Sequence, residues 1–248
     1  MIDGALLLDK PVGVSSNRAL QEAKRLLRAK KAGHAGTLDP LASGLLVLLF
    51  GEATKVAGPL LESDKEYLAT LKLGERTSTG DAEGEVLEVR PVHASAADVA
   101  AVLERFRGAI DQVPPMHSAL KRDGVPLYRL ARKGRTVERP ARQVQISHLE
   151  LLAYRAPLAE LRVRCSKGTY IRSLGEDIGA ALGSGAHLAG LRRTGSGRFH
   201  VEEAATLEQL RACRRRWSAC CRWASCSPIF PRPSSMPPPR RGCATASR

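Results

Sequence analysis

The chain has 248 residues, of which 43% are hydrophobic and 26% charged, a composition typical of a globular protein with a sizeable core. These proportions exclude a wholly disordered chain, a collagen and a small disulfide scaffold, and the longest apolar run, residues 44–51, is too short to cross a bilayer. The formal net charge of +14 favours a polyanionic partner, nucleic acid first. Because residues 1–4 lack the basic and apolar regions of a signal peptide, we expect a cytoplasmic protein that does not enter a membrane.

Short apolar or alternating runs predict strands in the first half of the chain. They lie at residues 5–8, 45–50, 67–73 and 85–92. A helix is predicted from a cap at Ser16 or Asn17 to about Lys30, with apolar side chains every three or four residues. Ser95 caps a second predicted helix, which Gly108 ends.

The second half repeats this mixture of strands and helices. Strands are predicted at 144–154 and 158–166, and a helix begins near Tyr170. Thr206 is a typical cap for a last helix. The order lacks the regular strand–helix alternation of a doubly wound sheet, so we predict an α+β fold with a mixed, largely antiparallel sheet flanked by helices.

Residues 114–143 form a basic segment that looks like an excursion from the core. Between residues 116 and 143, eight Lys or Arg face two acidic residues, and prolines and glycines interrupt the pattern. His117 and Tyr128 offer flat faces among the charges. A nucleic-acid surface and an ordinary solvated loop both fit this composition.

Residues 211–248 differ from the rest of the chain. They contain nine Arg with no Asp, Glu or Lys, five of the six Cys, both Trp and six Pro, without a helix or strand period. A Cys-rich metal site and an Arg-rich RNA tail are possible functions, but there is no C-x-x-C pair and no His after His200. We therefore interpret this segment as disordered or out-of-frame sequence. The one Cys before it, Cys165, fits a reduced cytosol.

The loop at residues 32–40 is the best candidate for chemistry. The sequence has no phosphate-binding loop, no G-x-S-x-G and no H-E-x-x-H, which disfavours those enzyme classes. Gly33 and Gly36 allow a ligand to approach closely, and Pro40 forces Asp39 out of helical geometry. A carboxylate at such a corner can act as a nucleophile or base, although an Asp before Pro is also a common turn former.

Five separated blocks occur in one order along the chain. They are Asp9-Lys-Pro-Val-Gly-Val-Ser-Ser16, Gly33-His-Ala-Gly-Thr-Leu-Asp-Pro-Leu-Ala-Ser-Gly44, Gly51-Glu-Ala-Thr-Lys55, Asp64-Lys-Glu-Tyr67 and Ser166-Lys-Gly-Thr-Tyr-Ile-Arg172. This set closely resembles the bacterial tRNA pseudouridine synthases of the TruB family, which modify uridine 55 in the T arm. The resemblance covers about residues 3 to 210, and it implies the pseudouridine synthase fold with a basic RNA-binding insertion at about 114–143.

The resemblance implies an isomerisation that needs no cofactor and no metal. The uracil N1–C1′ bond breaks, the base turns while bound, and C5 bonds to C1′. Asp39 corresponds to the family's essential Asp, which either attacks the ribose or stabilises and deprotonates it. Arg172 corresponds to the Arg that pairs with this Asp, and Tyr170 to a Tyr beside the sugar and base.

The resemblance also implies four further substrate contacts. Tyr67 corresponds to the Tyr that stacks on the flipped uracil, and Leu191 to an apolar contact with the base. His34 corresponds to the His that enters the RNA where the uridine leaves, which helps to offset the few kcal/mol that unstacking costs. Lys10, in the first block, is expected to help to position the RNA.

The resemblance further implies a domain division and a partner. Residues 1–210 are expected to form the catalytic domain, acting as a monomer on the T arm of tRNA, and residues 211–248 stand where the family has a small RNA-binding domain of the PUA type. Two other hypotheses remain: a tRNA-binding folding chaperone that opens and re-anneals the T arm, and an inactive product of a disrupted gene.

Overall fold

The computed structural model describes residues 2–122, 124–131 and 133–216, and of residues 213–216 it describes the backbone alone. The segment predicted to be aberrant, residues 211–248, therefore lies outside the described residues except for its first six, which end a helix. No helix in the described ranges combines the length and the apolarity that crossing a bilayer requires.

The described part of the chain contains fourteen strands, six α-helices and two short 3-10 helices, Gly51–Val56 and Val201–Glu203. The strands are β1 (Gly4–Lys10), β2 (Ala32–His34), β3 (Ala42–Phe50), β4 (Lys65–Leu73), β5 (Glu75–Thr77), β6 (Val86–Val89), β7 (Gly108–Gln112), β8 (Lys121–Arg122), β9 (Val125–Pro126), β10 (Arg142–Arg155), β11 (Leu158–Cys165), β12 (Ala186–Ser196), β13 (Phe199–His200) and β14 (Ala205–Thr206). The helices are α1 (Ser16–Leu27), α2 (Ala57–Glu62), α3 (Ala96–Glu104), α4 (Leu127–Ala131), α5 (Ile171–Ala181) and α6 (Leu207–Arg216).

Ten of these strands form one sheet. Its order is β14-β1-β3-β12-β4-β11-β10-β7, with β2 paired to β3 and β13 paired to β12. The pairs β1–β14 and β3–β12 are parallel, and the other pairs in this sheet are antiparallel. The predicted α+β fold with a mixed, largely antiparallel sheet is confirmed.

Strand β3 lies inside the protein because both of its faces are covered. Leu46, Leu48 and Phe50 join the main core, which includes α1 and α5. Leu45 and Val47 point the other way, into a second apolar cluster. A strand that is buried on both faces is a continuous apolar run rather than an alternating one. This is the pattern that the sequence shows at residues 45–50.

Helix α1 differs from its prediction at both ends. Its N-cap is Ser15, whose hydroxyl accepts a hydrogen bond from the Arg18 amide. The predicted caps, Ser16 and Asn17, are wrong because both lie inside the helix, and the buried Ser16 hydroxyl bonds to the backbone of Leu38 instead. The helix stops at Leu27 rather than near Lys30, since Arg28 adopts the left-handed conformation that ends helices.

No sequence pattern predicts β12, the strand that lies between β3 and β4 near the centre of the sheet. Strand β12 contains two Gly and two Arg, and register shifts interrupt its pairing with β4. These features remove the alternation on which strand prediction depends. Gly108 was also misassigned: α3 ends at Glu104, and Gly108 instead begins β7.

Part of the basic segment lies off the main sheet. Strands β8 and β9 pair as a short hairpin, α4 follows it, and neither strand of this hairpin pairs with the ten-stranded sheet. The last two residues of the segment, Arg142 and Gln143, begin β10 and pair with β7 in the main sheet.

Candidate active site

Asp39 lies in the loop between β2 and β3, and hydrogen bonds hold this loop on both sides. The Ser16 hydroxyl accepts a bond from the Leu38 amide at 2.8 Å and donates one to the Leu38 carbonyl at 2.9 Å. The Gly13 amide donates to the Pro40 carbonyl at 2.8 Å. The carboxylate itself is 41% exposed. The corner is therefore fixed, while its acid remains accessible to a ligand.

A buried guanidinium faces this carboxylate. Arg172, in the first turn of α5, places Nη2 2.9 Å from Oδ2 of Asp39, and its side chain is only 5% exposed. Nη1 donates to the Thr79 carbonyl and Nη2 to the His117 carbonyl, at 3.1 and 2.7 Å. Since a buried cation is stable only when its N–H groups are bonded, these contacts fix the guanidinium and orient Asp39.

Asp81 is a second acid on Arg172 that the sequence analysis missed. Its Oδ2 lies 3.5 Å from Nε of Arg172, and its side chain is 6% exposed. The other carboxylate oxygen accepts bonds from the Thr79 hydroxyl at 2.6 Å and the Glu83 amide at 3.1 Å. No local pattern marks Asp81, because its partner is distant in sequence.

The described residues hold no group of three or more His, Cys, Asp or Glu arranged to bind a metal ion.

Tyr170 is the N-cap residue of α5, and a buried amide clamps its backbone. Gln112, 2% exposed at the end of β7, accepts from the Tyr170 amide at 2.8 Å and donates to its carbonyl at 3.0 Å. Burial raises the pKa of the Tyr170 phenol, with Arg172 opposing the shift and Asp39 adding to it. The phenol is therefore neutral at pH 7 and within electrostatic range of the Asp39–Arg172 pair.

Tyr67 lies on β4, directly opposite Arg193 on β12. Burial raises the pKa of its phenol, and the Arg193 guanidinium opposes this shift both by its charge and as a hydrogen-bonding partner. Leu191 lies two residues before Arg193 and therefore on the same face of β12. It is half-buried and packs against the main core. The sheet thus brings Tyr67 and Leu191 to one side.

Lys10 ends β1 and is fully buried. Its Nζ donates to the carbonyls of Pro11 and Val14, at 2.9 and 2.6 Å. Burial lowers the pKa of this ammonium to about 8, while the negative charge of Asp39 opposes the shift. Lys10 therefore holds the turn that comes after β1 and adds positive charge beside Asp39.

His34, on β2, is less closely connected to the other candidates. It is half-buried, and burial, followed by the nearby charge of Arg193, lowers the pKa of its imidazole. Its Nδ1 atom is buried and has no hydrogen-bond partner among the residues that the structure describes.

The sequence does not reveal three residues of the site, which are Asp81, Gln112 and Arg193.

Two family profiles match the chain. One, described as TruB family pseudouridylate synthase (N terminal domain), matches residues 24–171. The other, described as tRNA pseudouridylate synthase B C-terminal domain, matches residues 172–223. Together they cover every candidate site residue except Lys10.

Similar proteins carry the name tRNA pseudouridine synthase B. The chain is 65% identical to the one from Burkholderia lata over 210 residues, 85% of this chain and 65% of the relative. It is 64% identical to the one from Burkholderia mallei over 211 residues, 85% of this chain and 70% of the relative. The matched region thus spans about two thirds of the length of these relatives.

Solved structures resemble the fold as well. A chain in the structure titled "Crystal Structure of a Cbf5-Nop10-Gar1 Complex" superposes with a TM-score of 0.69 at 35% identity, covering 87% of this chain and 55% of that chain. A chain in the archaeal box H/ACA sRNP Nop10-Cbf5 complex superposes with a TM-score of 0.66 at 33% identity, covering 87% of this chain and 55% of that chain.

Proposed function

We propose, since this chain belongs to the TruB family of pseudouridylate synthases, that it isomerises uridine 55 to pseudouridine in the T arm of tRNA. The observation that carries the proposal is the contact of 2.9 Å between the part-exposed Asp39 carboxylate and the buried Arg172 guanidinium. A reactive acid needs access to its substrate and a fixed direction, and this pair provides both.

Asp39 acts on the ribose of the target nucleotide. While the N1–C1′ bond breaks, the carboxylate either attacks the sugar or stabilises and deprotonates it, and both courses use the same accessible oxygen. The base then turns in the site, C5 bonds to C1′, the C5 proton leaves to solvent and N1 takes up a proton, so that substrate and product are isomers. No electrons are transferred to or from the substrate, so the reaction calls for no redox cofactor.

The surrounding side chains recognise a nucleotide that has left its helix. Tyr67 stacks on the flipped uracil, Leu191 supplies an apolar contact, and Tyr170 lies beside the sugar and base. His34 enters the RNA where the uridine leaves its stack, and Lys10 supports the loop side of the site. Stacking on aromatic rings contributes about 1–3 kcal/mol per base, which is comparable with the cost of unstacking.

The basic segment at residues 114–143 binds the phosphate backbone of the tRNA. In the hairpin β8–β9 and the residues after α4, Arg122 and Arg135 line a groove of about 400 Å³ together with Glu138. The Arg122 guanidinium also donates to the Glu138 carbonyl, which ties the two sides of the excursion together. Phosphate contacts of this kind position the RNA without reading its sequence.

The domain division is part of the same assignment. Residues 1–210 form a monomeric catalytic domain that holds every proposed site residue. Residues 211–248 are the disordered or out-of-frame segment that stands in place of a PUA-type domain, so any loss that this replacement causes falls on tRNA affinity rather than on the chemistry.

A tritium-release assay tests the proposal. The chain is incubated with a T-arm stem-loop that carries [5-³H]uridine at position 55, and the wild type is compared with Asp39→Asn. We expect release by the wild type and a loss of about 100-fold or more in Asp39→Asn, because the amide cannot replace the reactive oxygen. Asp98→Asn is the matched control, since it removes the same charge from an exposed helix terminus.

Two outcomes contradict the proposal. Equal release by wild type and Asp39→Asn shows that Asp39 is not the reactive group. No release by either protein, together with faster annealing of a melted T arm by both, supports the RNA chaperone hypothesis instead.

A further inference from the structure

Arg193 is a buried cation that the proposed reaction does not use. Its side chain is only 1% exposed, in the middle of β12. Its Nε donates to the Leu45 carbonyl at 2.7 Å and its Nη2 to the Gly36 carbonyl at 3.1 Å. In the described part of the chain, no carboxylate forms an ion pair with it. Burial of an unpaired cation is costly, and a fold retains such a residue where it performs a task that an apolar side chain cannot.

The contacts of Arg193 join the two halves of the proposed site. Gly36 belongs to the loop that carries Asp39, whereas Tyr67 lies on β4 directly opposite Arg193, where the guanidinium opposes the rise in the pKa of its phenol. The loop approaches closely at Gly36, since a Cβ there would lie 3.3 Å from Nη1 of Arg193, and φ at this position is +102°. The freedom that the sequence offers at Gly36 is therefore used by the guanidinium of Arg193.

We propose that Arg193 is a positioning residue that holds the Tyr67 phenol and the Asp39 loop at a fixed separation around the flipped uridine. Arg suits this task better than Lys because its planar fork bonds to two carbonyls at once while its delocalised charge faces the cross-strand partner Tyr67. The inference rests on the proposed function for its catalytic part, whereas the link between Arg193 and Tyr67 can be measured without substrate.

Several other titratable groups interact electrostatically with Arg193 or Tyr67, and a change in the pKa of Tyr67 has to be separated from changes at these groups. They are Lys10, His34, Asp39, Lys65 and Cys165. Arg193 lowers the pKa of both lysines and of His34, and it opposes the rise at Tyr67. Removing the guanidinium therefore moves the pKa of the Tyr67 phenol further in the direction in which burial already shifts it.

The first experiment measures single-turnover rates and KM on the T-arm stem-loop for Arg193→Met and Arg193→Lys. We expect the rate to fall about 100-fold in Arg193→Met, as a misplacement of about 1 Å can cause, with KM changed less than about threefold and partial recovery in Arg193→Lys. Arg192→Met is the matched control. Arg192 is the neighbouring residue, its side chain is half-exposed, and the substitution breaks its ion pair of 2.8 Å with Asp9.

A double-mutant cycle separates positioning from general stability. If Arg193 acts through Tyr67, Arg193→Lys reduces the rate much less in a Tyr67→Phe background than in the wild type. Losses that multiply independently in the double variant, or a wild-type rate in folded Arg193→Met, overturn the inference. The cycle uses the Lys variant so that the test stands even where Arg193→Met does not fold.

The second experiment needs no substrate. The chain is labelled with 3-fluorotyrosine, and the Tyr67 signal among its four tyrosines is assigned with Tyr67→Phe in ¹⁹F NMR. We expect Arg193→Met to raise the pKa of that phenol further above its usual value, because the opposing positive charge is lost, and Arg193→Lys to change its chemical shift alone among the four. An unmoved Tyr67 signal in both folded variants overturns the inference, whereas absence of tritium release with a moved signal counts only against the proposed function.

Discussion

Replacing Gly44 by Ala tests whether β3 and β12 are packed backbone to backbone at the site. Gly44 has a φ of +98°, and a Cβ built on it would lie 2.2 Å from the carbonyl oxygen and 2.8 Å from the amide nitrogen of Arg193. These atoms are backbone, so they cannot turn aside as the end of a flexible side chain does. The strands have to separate locally for the new methyl group to fit, and Gly44 pairs with both Lys10 and Arg193.

The expected loss of stability has two parts. A positive φ costs a residue with a Cβ about 1–2 kcal/mol, and forcing packed backbone apart costs about 1–3 kcal/mol more. Gly44→Ala should therefore lower the free energy of unfolding by about 2–5 kcal/mol, a large part of the roughly 5–15 kcal/mol typical of a domain. Gly13→Ala is the control, because φ is +78° there but nothing lies within 4 Å of the added Cβ. It should cost only the first part.

Urea unfolding followed by far-UV circular dichroism measures both variants. Gains from a less flexible unfolded chain apply to both substitutions and cancel in their difference. Equal losses in Gly44→Ala and Gly13→Ala would refute the steric argument at β3 and β12.

Three further predictions concern buried groups. Folding lowers the pKa of Lys10 from 10.5 to about 8, so the unfolded state binds more protons between these pH values. The free energy of unfolding of the wild type, measured in urea titrations, should therefore rise relative to that of Lys10→Met as pH goes from 8 to 10.5. A difference between the two proteins that does not change with pH contradicts this prediction. Ser16→Ala leaves the buried amide and carbonyl of Leu38 without their hydrogen bonds. It should lower the free energy of unfolding in urea by about 1–3 kcal/mol. An equal loss of stability in Ser15→Ala would argue against a special role for the Ser16 hydroxyl. Burial raises the pKa of the Cys165 thiol to about 11, so peptide mapping after iodoacetamide at about pH 8 should find Cys165 unmodified in the folded protein and alkylated in urea; labelling in the native state contradicts the burial.

The parts of the fold that the sequence predicts are those with local patterns. Buried residues alternate with half-buried ones along β4 and with exposed ones along β11, and the sequence predicts the bounds of both strands within two residues. Helix α5 buries the face that contains Leu174 and Ile178, as its spacing indicates. In these elements the period of the side chains alone decides which face meets the core.

The parts that the sequence does not predict depend on partners far along the chain. Strand β12 carries a buried Arg where a strand pattern calls for an apolar residue, and the carbonyls that bond to it come from β3 and from the loop between β2 and β3. Asp81 and Gln112 resemble ordinary surface residues until Arg172 and Tyr170 are placed beside them. Buried polar residues are identified by their hydrogen-bond partners, which composition and periodicity do not contain.

The outer edge of the sheet is completed by residues distant from those that begin it. Strand β14 pairs in parallel with β1, joining Leu8 to Ala205, and α6 packs on α1 with Arg211 bonded to Glu22. During translation about 200 residues are therefore synthesised before β14 can pair with the edge of β1. Contacts between residues so far apart in sequence slow folding. A ribosome-stalled chain ending before β14 should expose that edge to chaperones and proteases, while a chain extended past α6 should not.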